Sequence, residues 1–267
     1  MWITGDTMPE LPDVENFRLY FQKTSLNQKI NSVQVKELRF LTEIDQFSLQ
    51  RLLTENRFSE TFRHGKNLLV RIGTDPWLTV HFGMTGYIKY YSDISQEPPF
   101  DRLLINFSNG NHLSFSDQRI FGRVGVTSSP EQFIKEHHLG PDALQIDEKR
   151  FLELFSRKKR ALKTLLMDQT FMAGIGNEYS DEILFRAGFL PGRNSSTLDI
   201  EELKKLFRSV KEVIHTALKA HAVKKLFPDD YLLKNRRKGS RCFRCNAVMQ
   251  TLRFGGRTAY YCPGCQR

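Results

Sequence analysis

The chain has 267 residues, a formal net charge of +10, a pI of about 9.5 and a hydrophobic fraction of 40% that includes 21 phenylalanines. This length allows two modest domains and a small appendage. No apolar run approaches the roughly 20 residues of a membrane helix, and residues 1–7 lack the basic start and long apolar stretch of a secretory signal. The positive charge favours an anionic partner, with nucleic acid as the leading candidate, although a generally basic protein would share it.

The first predicted element is a helix from Pro9 to about Leu26. Val14, Phe17 and Phe21 recur at spacings of three and four residues, so they share one apolar face. Prolines are favoured in the first turn of a helix, which fits this start.

Short alternating segments between residues 30 and 126 predict β-strands. Residues 68–72 and 78–82 are the clearest single strands. Residues 103–107 and 112–115 flank the sequence Ser-Asn-Gly-Asn, which is typical of a hairpin turn. Several such strands predict a β-sandwich or barrel.

The periodicity becomes helical after Pro130. Residues 151–155 and 162–167 fit helix faces, and the clearest helix runs from Asp199, with Glu202 completing a capping box, to about Ala220. Its apolar stripe is interpreted as core: Leu203, Leu206, Phe207, Val210, Val213, Ile214, Ala217 and Leu218. Residues 227–239 are charged and break the pattern, which predicts a linker.

The chain ends in two C-x-x-C pairs, Cys242 with Cys245 and Cys262 with Cys265. Four thiolates at this spacing predict one tetrahedral, structural Zn²⁺. The stretch between the pairs has the length of a short β-hairpin, with Gly-Gly at 255–256 as its turn. Two disulfides in a secreted protein are the alternative, but nothing else in the sequence points outside the cell.

Four segments, in this order, resemble the formamidopyrimidine-DNA glycosylases and their endonuclease VIII relatives. They are residues 8–15 (MPELPDVE), residues 81–86 with 117–122 (HFGMTG and DQRIFG), residues 174–185 (GIGNEYSDEILF), and the cysteine hairpin with its Gly-Arg-Thr at 256–258. The resemblance spans residues 8–267.

The resemblance implies an α+β multidomain fold. We expect an extension (1–8) that is absent from the mature protein, an amino-terminal β-sandwich with a leading helix (9–130), a helical helix–two-turn–helix domain (131–233) and a zinc-finger β-hairpin (234–267). The implied function is that of a bifunctional DNA glycosylase and abasic-site lyase in base excision repair. It implies a monomer acting on damaged double-stranded DNA, without a membrane, in a bacterial-type cytoplasm and associated with the nucleoid.

By this resemblance, Pro9 is the nucleophile once the initiator methionine has been removed. A free secondary amine with a pKa of roughly 8 is partly neutral at pH 7, so it can attack the sugar C1′, expel the base and leave an iminium that permits elimination. Glu10 would protonate the sugar ring oxygen and shuttle protons. Lys66 would lie near the nucleophile and a flanking phosphate. Alternatively, Pro9 merely starts a helix and Lys66 is a solvated lysine.

The sequence departs from the family pattern before Met8. If the seven preceding residues persist, the Pro9 nitrogen is an amide and cannot form an imine. Translation from Met8 is the favoured interpretation. Trimming of the extension is one alternative, and a catalytically silent damage-binding protein is another.

The resemblance also assigns DNA contacts. Met84, Arg119 and Phe121 resemble the trio that fills the hole left by an extruded base. The residues that would contact phosphates, or support such contacts, are Lys66, His81, Asn177, Tyr179 and Arg257. Glu182 would lie near the damaged base. As alternatives, Met84 and Phe121 could be sandwich core and His81 a core histidine.

A second departure lies at residues 217–238. The formamidopyrimidine branch usually has a longer loop here, rich in glycine and threonine, which covers the oxidised purine. This chain has a shorter segment of different composition, so ring-opened purines, hydantoins and oxidised pyrimidines stay open as substrates. A zinc-bearing nucleic-acid-binding module without lesion preference is a further rival hypothesis.

Overall fold

The computed structural model describes residues 8–156 and 158–267, which divide into two compact units. The first contains Met8, Pro9 and residues 13–137, and the second contains residues 10–12 and 138–267. The predicted extension, apart from Met8, lies outside the described residues. Among the described helices, none has the length and apolarity to cross a bilayer.

Two four-stranded antiparallel sheets build the first unit. One has the order β1-β6-β7-β5, made of β1 (Ile30–Val35), β5 (Tyr87–Tyr91), β6 (Asp101–Phe107) and β7 (His112–Ser116). The other has the order β2-β3-β4-β8, made of β2 (Phe58–His64), β3 (Asn67–Ile72), β4 (Trp77–His81) and β8 (Arg123–Thr127). Apolar side chains of both sheets share one buried cluster. The predicted β-sandwich is therefore confirmed.

Three helices accompany the sandwich: α1 (Leu11–Ser25), α2 (Gln46–Leu53) and α3 (Pro130–Glu136). The predicted apolar face of α1 is buried in the sandwich core, with Val14, Phe17 and Phe21 at most 1% exposed. The ring of Phe17 lies 4.3 Å from that of Phe82. This packing confirms the apolar face of α1 that the spacing of three and four residues predicted.

Four helices form most of the second unit: α4 (Glu148–Ser156), α5 (Leu162–Met167), α6 (Asn177–Ala187) and α7 (Ile200–Lys219). The capping box of α7 is present as predicted, since Asp199 accepts the Glu202 N–H and Glu202 accepts the Asp199 N–H. The predicted stripe of α7 packs into the helical core, with Phe207 and Leu218 only partly buried.

The segment after α7 differs from the predicted linker. It forms two short 3₁₀ turns, Lys224–Leu226 and Leu232–Asn235. Phe227 and Tyr231 are at most 3% exposed and belong to the helical core. The charged residues between Phe227 and Tyr231 made this stretch look like a linker in the sequence. Because both aromatic residues belong to the helical core, the prediction of a linker was wrong for residues 227–231.

A two-stranded hairpin closes the chain, with β9 (Gln250–Phe254) paired to β10 (Arg257–Tyr261). Gly255 and Gly256 form its two-residue turn, with φ of +50° and +79°. Positive φ at both positions is what a type I′ turn requires, and glycine adopts it without strain. The hairpin sequence therefore folds as its Gly-Gly turn predicts.

Candidate active site and nucleic-acid interface

The Glu10 carboxylate lies at the amino-terminal end of α6, and only 2% of the residue is exposed. Its Oε2 accepts the Gly176 N–H at 2.5 Å, and its Oε1 accepts the Glu178 N–H at 2.9 Å. Gly176 is the N-cap residue and has no side chain to satisfy these donors. The helix start carries partial positive charge, which favours an anion there. The carboxylate is therefore fixed in position by the backbone.

The backbone around Glu10 explains the glycines of the Gly-Ile-Gly turn. The Leu11 N–H donates to the Gly174 carbonyl at 3.0 Å. Gly174 has a φ of +115°, and a side chain there would collide with Leu11. Only glycine permits this close approach of the two chain segments.

Lys66 lies in the two-residue turn that joins β2 to β3, where His64 pairs with Asn67. Gly65 has a φ of +57°, which suits the first central position of a type II′ turn. Lys66 is 8% exposed, so it is not the solvated lysine of the alternative interpretation. Pro9 is also buried.

His81 ends β4 and is paired across the sheet with Asn67, next to Lys66. Its Nδ1 accepts the Gly83 N–H at 3.1 Å, which places the proton of the neutral ring on Nε2. Burial, together with the charges of Lys66 and Arg123, lowers the pKa of the His81 imidazole to about 4. At neutral pH the ring is therefore an uncharged donor through Nε2.

Asp117 holds together the two loops that carry the proposed hole-filling residues. It is fully buried. Its Oδ1 accepts the Thr85 hydroxyl at 2.5 Å and the Arg119 N–H at 3.2 Å, while its Oδ2 accepts the Gly122 N–H at 2.6 Å. The motif resemblance assigned no role to Asp117. Its first position in DQRIFG, before a loop rich in backbone donors, was the available signal.

The loop between Asp117 and Gly122 presents its side chains outward. Phe121 is 47% exposed, and the Arg119 guanidinium lies 4.9 Å from the centre of its ring. Ile120 between them has a φ of +57°, which is strained for a β-branched residue. Phe121 is therefore not sandwich core, and Met84 on the other loop is partly buried.

The buried carboxylate suggests a direct test. Asp117→Asn replaces one acceptor oxygen by an NH₂ group that would face a backbone N–H. We expect a loss of about 1–3 kcal/mol in the free energy of unfolding, measured by urea titration. Asp93→Asn is the matched control, because Asp93 caps an exposed turn and asparagine caps equally well. Equal stability of the two variants would contradict the role of Asp117.

Asn177 is the first residue of α6, and its Oδ1 is buried without a hydrogen-bond partner among the described residues. Its carbonyl accepts the Lys163 Nζ at 2.9 Å. Lys163 is fully buried and also donates to Asp181 Oδ1 at 2.7 Å. Asp181 Oδ2 accepts from Arg236 Nε at 2.8 Å and from the Tyr260 N–H at 3.2 Å. This network, which no local sequence pattern predicted, connects the start of α6 with β10.

Glu182 and Tyr179 lie in the interior of the helical unit, at 0% and 5% exposure. Glu182 Oε2 accepts the Leu233 N–H at 2.9 Å, and its Oε1 is buried without a hydrogen-bond partner among the described residues. Burial raises the pKa of the Glu182 carboxyl to about 8. The Glu182 side chain therefore points into the packed interior of the helical unit, and not toward a surface that a base could contact.

The four cysteine Sγ atoms all lie within 4.8 Å of one another. Cys242 and Cys265 are 3.8 Å apart, and Cys245 and Cys262 are 3.3 Å apart. A tetrahedron with Zn–S bonds of about 2.3 Å has edges of roughly 3.8 Å, whereas a disulfide bond measures about 2.05 Å. The donor set fits a metal ion and excludes the disulfide alternative.

Arg257 directly follows the Gly-Gly turn and is exposed. One guanidinium nitrogen lies 3.8 Å from the Met167 sulfur at the end of α5. The hairpin tip therefore presents its arginine beside the helical core of the same unit.

Two family models match the chain: the formamidopyrimidine-DNA glycosylase N-terminal domain over residues 8–124 and the formamidopyrimidine-DNA glycosylase H2TH domain over residues 139–226. The chain belongs to the formamidopyrimidine-DNA glycosylase family. Similar relatives of that name occur in Pelotomaculum thermopropionicum (32% identity, covering 97% of this chain and 99% of the relative) and Arabidopsis thaliana (32%, 97% and 71%). The solved complex of Lactococcus lactis Fpg with abasic-site DNA is also similar, with 28% identity, a TM-score of 0.86, and coverage of 97% and 100%. The predicted family and fold are thus confirmed.

Proposed function

We propose that this chain excises damaged bases from double-stranded DNA and then cleaves the strand at the resulting abasic site. Family membership makes it a DNA glycosylase of base excision repair, and lyase activity is general in that family. The observation that carries the mechanism is the Glu10 carboxylate, buried at the α6 amino terminus directly after Pro9. The protein would act as a monomer on the DNA of a bacterial-type cytoplasm and associate with the nucleoid.

Pro9 is the proposed nucleophile. With Pro9 as the first residue, its secondary amine attacks C1′ of the damaged nucleotide and loses its proton, and the base leaves with the electrons of the glycosidic bond. Glu10 acts first as a general acid: it protonates the sugar ring oxygen, so that the bond from C1′ to this oxygen breaks and an iminium forms. It acts next as a general base, which removes the C2′ proton in the elimination. Two backbone donors hold its carboxylate in place for both steps.

The proposed phosphate contacts come from separate segments, each of which has a fixed backbone. Lys66 lies in a tight turn, His81 ends a strand as a neutral donor, Asn177 begins α6, and Arg257 begins β10. Helix starts and cationic side chains are typical anion contacts in proteins. Tyr179 and Glu182 are buried, so we propose that they support α6 rather than contact DNA themselves.

Met84, Arg119 and Phe121 are proposed to occupy the space that an extruded base leaves. The outward ring of Phe121 is suited to wedge between base pairs, and Arg119 can donate to the orphaned opposite base. Asp117 is proposed to position both loops through its hydrogen bonds.

Zinc is the proposed metal of the cysteine cluster. Four thiolates in a closed site suit a structural Zn²⁺, which has no open position for substrate. Cys242, Cys245, Cys262 and Cys265 would hold the ion, and its contribution is to stabilise the hairpin that carries Arg257.

The nucleophile is tested by trapping with borohydride. Protein that starts at Pro9, incubated with an abasic-site duplex and borohydride, is expected to give a covalent adduct, because reduction fixes the iminium. Protein shown by intact mass to retain residues 1–8 is expected to give none, because its Pro9 nitrogen is an amide. Lys66→Met in the Pro9 form keeps the adduct. Trapping of the extended protein, lost in Lys66→Met, would assign the amine to Lys66 instead.

A catalytically silent damage-binding protein is the second candidate function. This candidate applies if residues 1–8 are retained, because the Pro9 nitrogen is then an amide. Intact-mass measurement of the protein from its native source separates the two. A mature chain that begins at Met1 would support the silent candidate.

A further inference from the structure

Arg236 joins the start of α6 to the strand that carries Arg257. Its side chain is only 13% exposed. Its Nε and one terminal nitrogen both lie 2.8 Å from Asp181 Oδ2. The same terminal nitrogen lies 3.4 Å from the Thr258 carbonyl oxygen, and the guanidinium carbon lies 4.5 Å from the centre of the Tyr260 ring. One planar group therefore contacts both α6 and β10.

On the α6 side, Arg236 lies between two carboxylates. Glu178 and the fully buried Asp181 are three residues apart on the helix, so their like charges lie on neighbouring positions and repel each other. The guanidinium is 3.6 Å from Glu178 Oε1 as well as 2.8 Å from Asp181. Ion pairs that are shielded from water are screened much less by salt than exposed ones. The attachment of Arg236 to α6 is therefore suited to persist at physiological salt.

The zinc cluster is too far from the hairpin tip to fix it alone. Arg257 lies five residues from Cys262, or about 17 Å along an extended strand. A two-stranded hairpin is only marginally stable by itself, so the position of its tip depends on contacts closer than the metal. The contacts of Arg236 at Thr258 and Tyr260 lie one and three residues from Arg257. They are placed where they can hold the tip.

We propose that Arg236 is a positioning residue for DNA binding: it fixes the hairpin to α6, so that Arg257 at the tip and Asn177 at the helix start meet the phosphates at a set spacing. Arg236 itself does not contact DNA in this role. A contact that is positioned in advance avoids part of the ordering cost of binding. The proposal rests on the proposed function, because Arg236 acts through the phosphate contact proposed for Arg257.

Arg236→Met removes the guanidinium and keeps an unbranched side chain that can pack against Tyr260. Asp181 retains its ion pair with Lys163, at 2.7 Å, so no buried charge loses its last partner. Arg241→Met is the matched control. It also removes one arginine, but the Arg241 side chain is exposed and its guanidinium donates to a carbonyl of its own turn.

A double-mutant cycle tests whether Arg236 acts through Arg257. Affinity for an uncleavable abasic-analogue duplex is measured at fixed salt for the wild type, Arg236→Met, Arg257→Ala and the double variant. We expect Arg236→Met to weaken binding about tenfold in the wild-type background and less than about twofold in the Arg257→Ala background, because both changes remove the same contact. Arg241→Met is expected to change affinity by less than about twofold in either background.

The rate of the chemical step is the second measurement. Single-turnover excision at saturating protein is expected to stay within about threefold of the wild type in Arg236→Met, because the residue affects binding and not the reacting sugar. A tenfold fall in this rate with unchanged affinity overturns the proposal, since Arg236 would then act on the chemistry.

The remaining outcomes are equally decisive. Equal weakening by Arg236→Met in both backgrounds overturns the proposal, because it indicates direct DNA contact or general destabilisation. Unchanged affinity in Arg236→Met, or an equal loss in Arg241→Met, also overturns it. If Arg236→Met loses zinc or unfolds at the assay temperature, Arg236→Lys replaces it in the cycle, with an expected loss of about threefold that again disappears with Arg257→Ala, since lysine keeps the charge but not the fork.

Failure of this inference is distinguishable from failure of the function on which it rests. A wild-type protein that excises no damaged base and gives no borohydride adduct contradicts the proposed function, whereas the cycle still reports on the role of Arg236 in binding. A wild-type protein that excises and gives the adduct, with an additive cycle, contradicts the role of Arg236 alone.

Discussion

Glu10→Gln is expected to lower the rate of base excision by roughly 10²–10⁴-fold, the usual contribution of a positioned general acid or base. Glutamine has nearly the same shape, but it cannot release or accept the proton that the sugar ring oxygen and the elimination step require. The measurement is the single-turnover excision rate from a duplex with a damaged base. Binding of an uncleavable abasic-analogue duplex is expected to stay within about threefold, because the carboxylate acts on the reacting sugar rather than on the phosphates.

The same substitution has a structural cost that must be measured separately. The carboxylate accepts one backbone N–H on each oxygen, whereas the amide of glutamine can accept only one and directs an NH₂ at the other donor. We expect a loss of about 1–3 kcal/mol in the free energy of unfolding, so the assays are run well below the melting temperature of the variant. Glu201→Gln, on an exposed side chain of α7, is the control. Excision by Glu10→Gln within about threefold of the wild type would remove Glu10 from the mechanism.

Local sequence patterns predicted those elements whose causes are local. The capping box of α7, the Gly-Gly turn of the hairpin and the apolar face of α1 each depend on residues a few positions apart. The cysteine spacing likewise brings four thiolates together, because each C-x-x-C turn places two sulfurs on one side of the ion.

Local sequence patterns could not predict the long-range hydrogen bonds that hold the site together. Glu10 binds an N–H that is 166 positions away in the sequence, and Lys163 binds Asp181 across 18 positions. No local pattern in the intervening residues predicts these two contacts, because they form only when the chain is folded. The buried Asp117 shows the same limit, since its Thr85 partner comes from another loop.

Motif resemblance and burial disagree most at Glu182. Its place in the motif suggested a residue near the damaged base, and that assignment stays a prediction. Its 0% exposure and its bond to the Leu233 N–H follow from the face of α6 that points to the core. A motif match fixes position in the chain, whereas the environment of a side chain depends on which face of the helix it occupies.

Loss of the metal is expected to have the second large effect, and Cys262→Ala is the variant that tests it. Cys262 is fully buried at the end of β10, and three thiolates cannot close a tetrahedral site. Structural zinc contributes about 10–16 kcal/mol of folding free energy in zinc-finger peptides at pH 7. Among the described residues, the buried cluster beside the hairpin contains, apart from cysteines, Phe185, Leu232 and Met249, with Ala247 packed against it. This cluster is too small to hold the hairpin alone, so it should unfold without the ion.

The consequence for DNA binding follows from what the hairpin carries. Arg257→Ala alone removes one charge-assisted contact of about 1.5–3 kcal/mol, or roughly 10–100-fold in affinity. Cys262→Ala releases Arg257 and also the Tyr260 N–H that binds Asp181, so its loss should equal or exceed that of Arg257→Ala and reduce the salt dependence of binding. Zinc content by mass spectrometry and duplex affinity at fixed salt are measured together, with Tyr261→Phe as the hairpin control. Full affinity in a zinc-free Cys262→Ala protein would show that the hairpin does not bind DNA through Arg257.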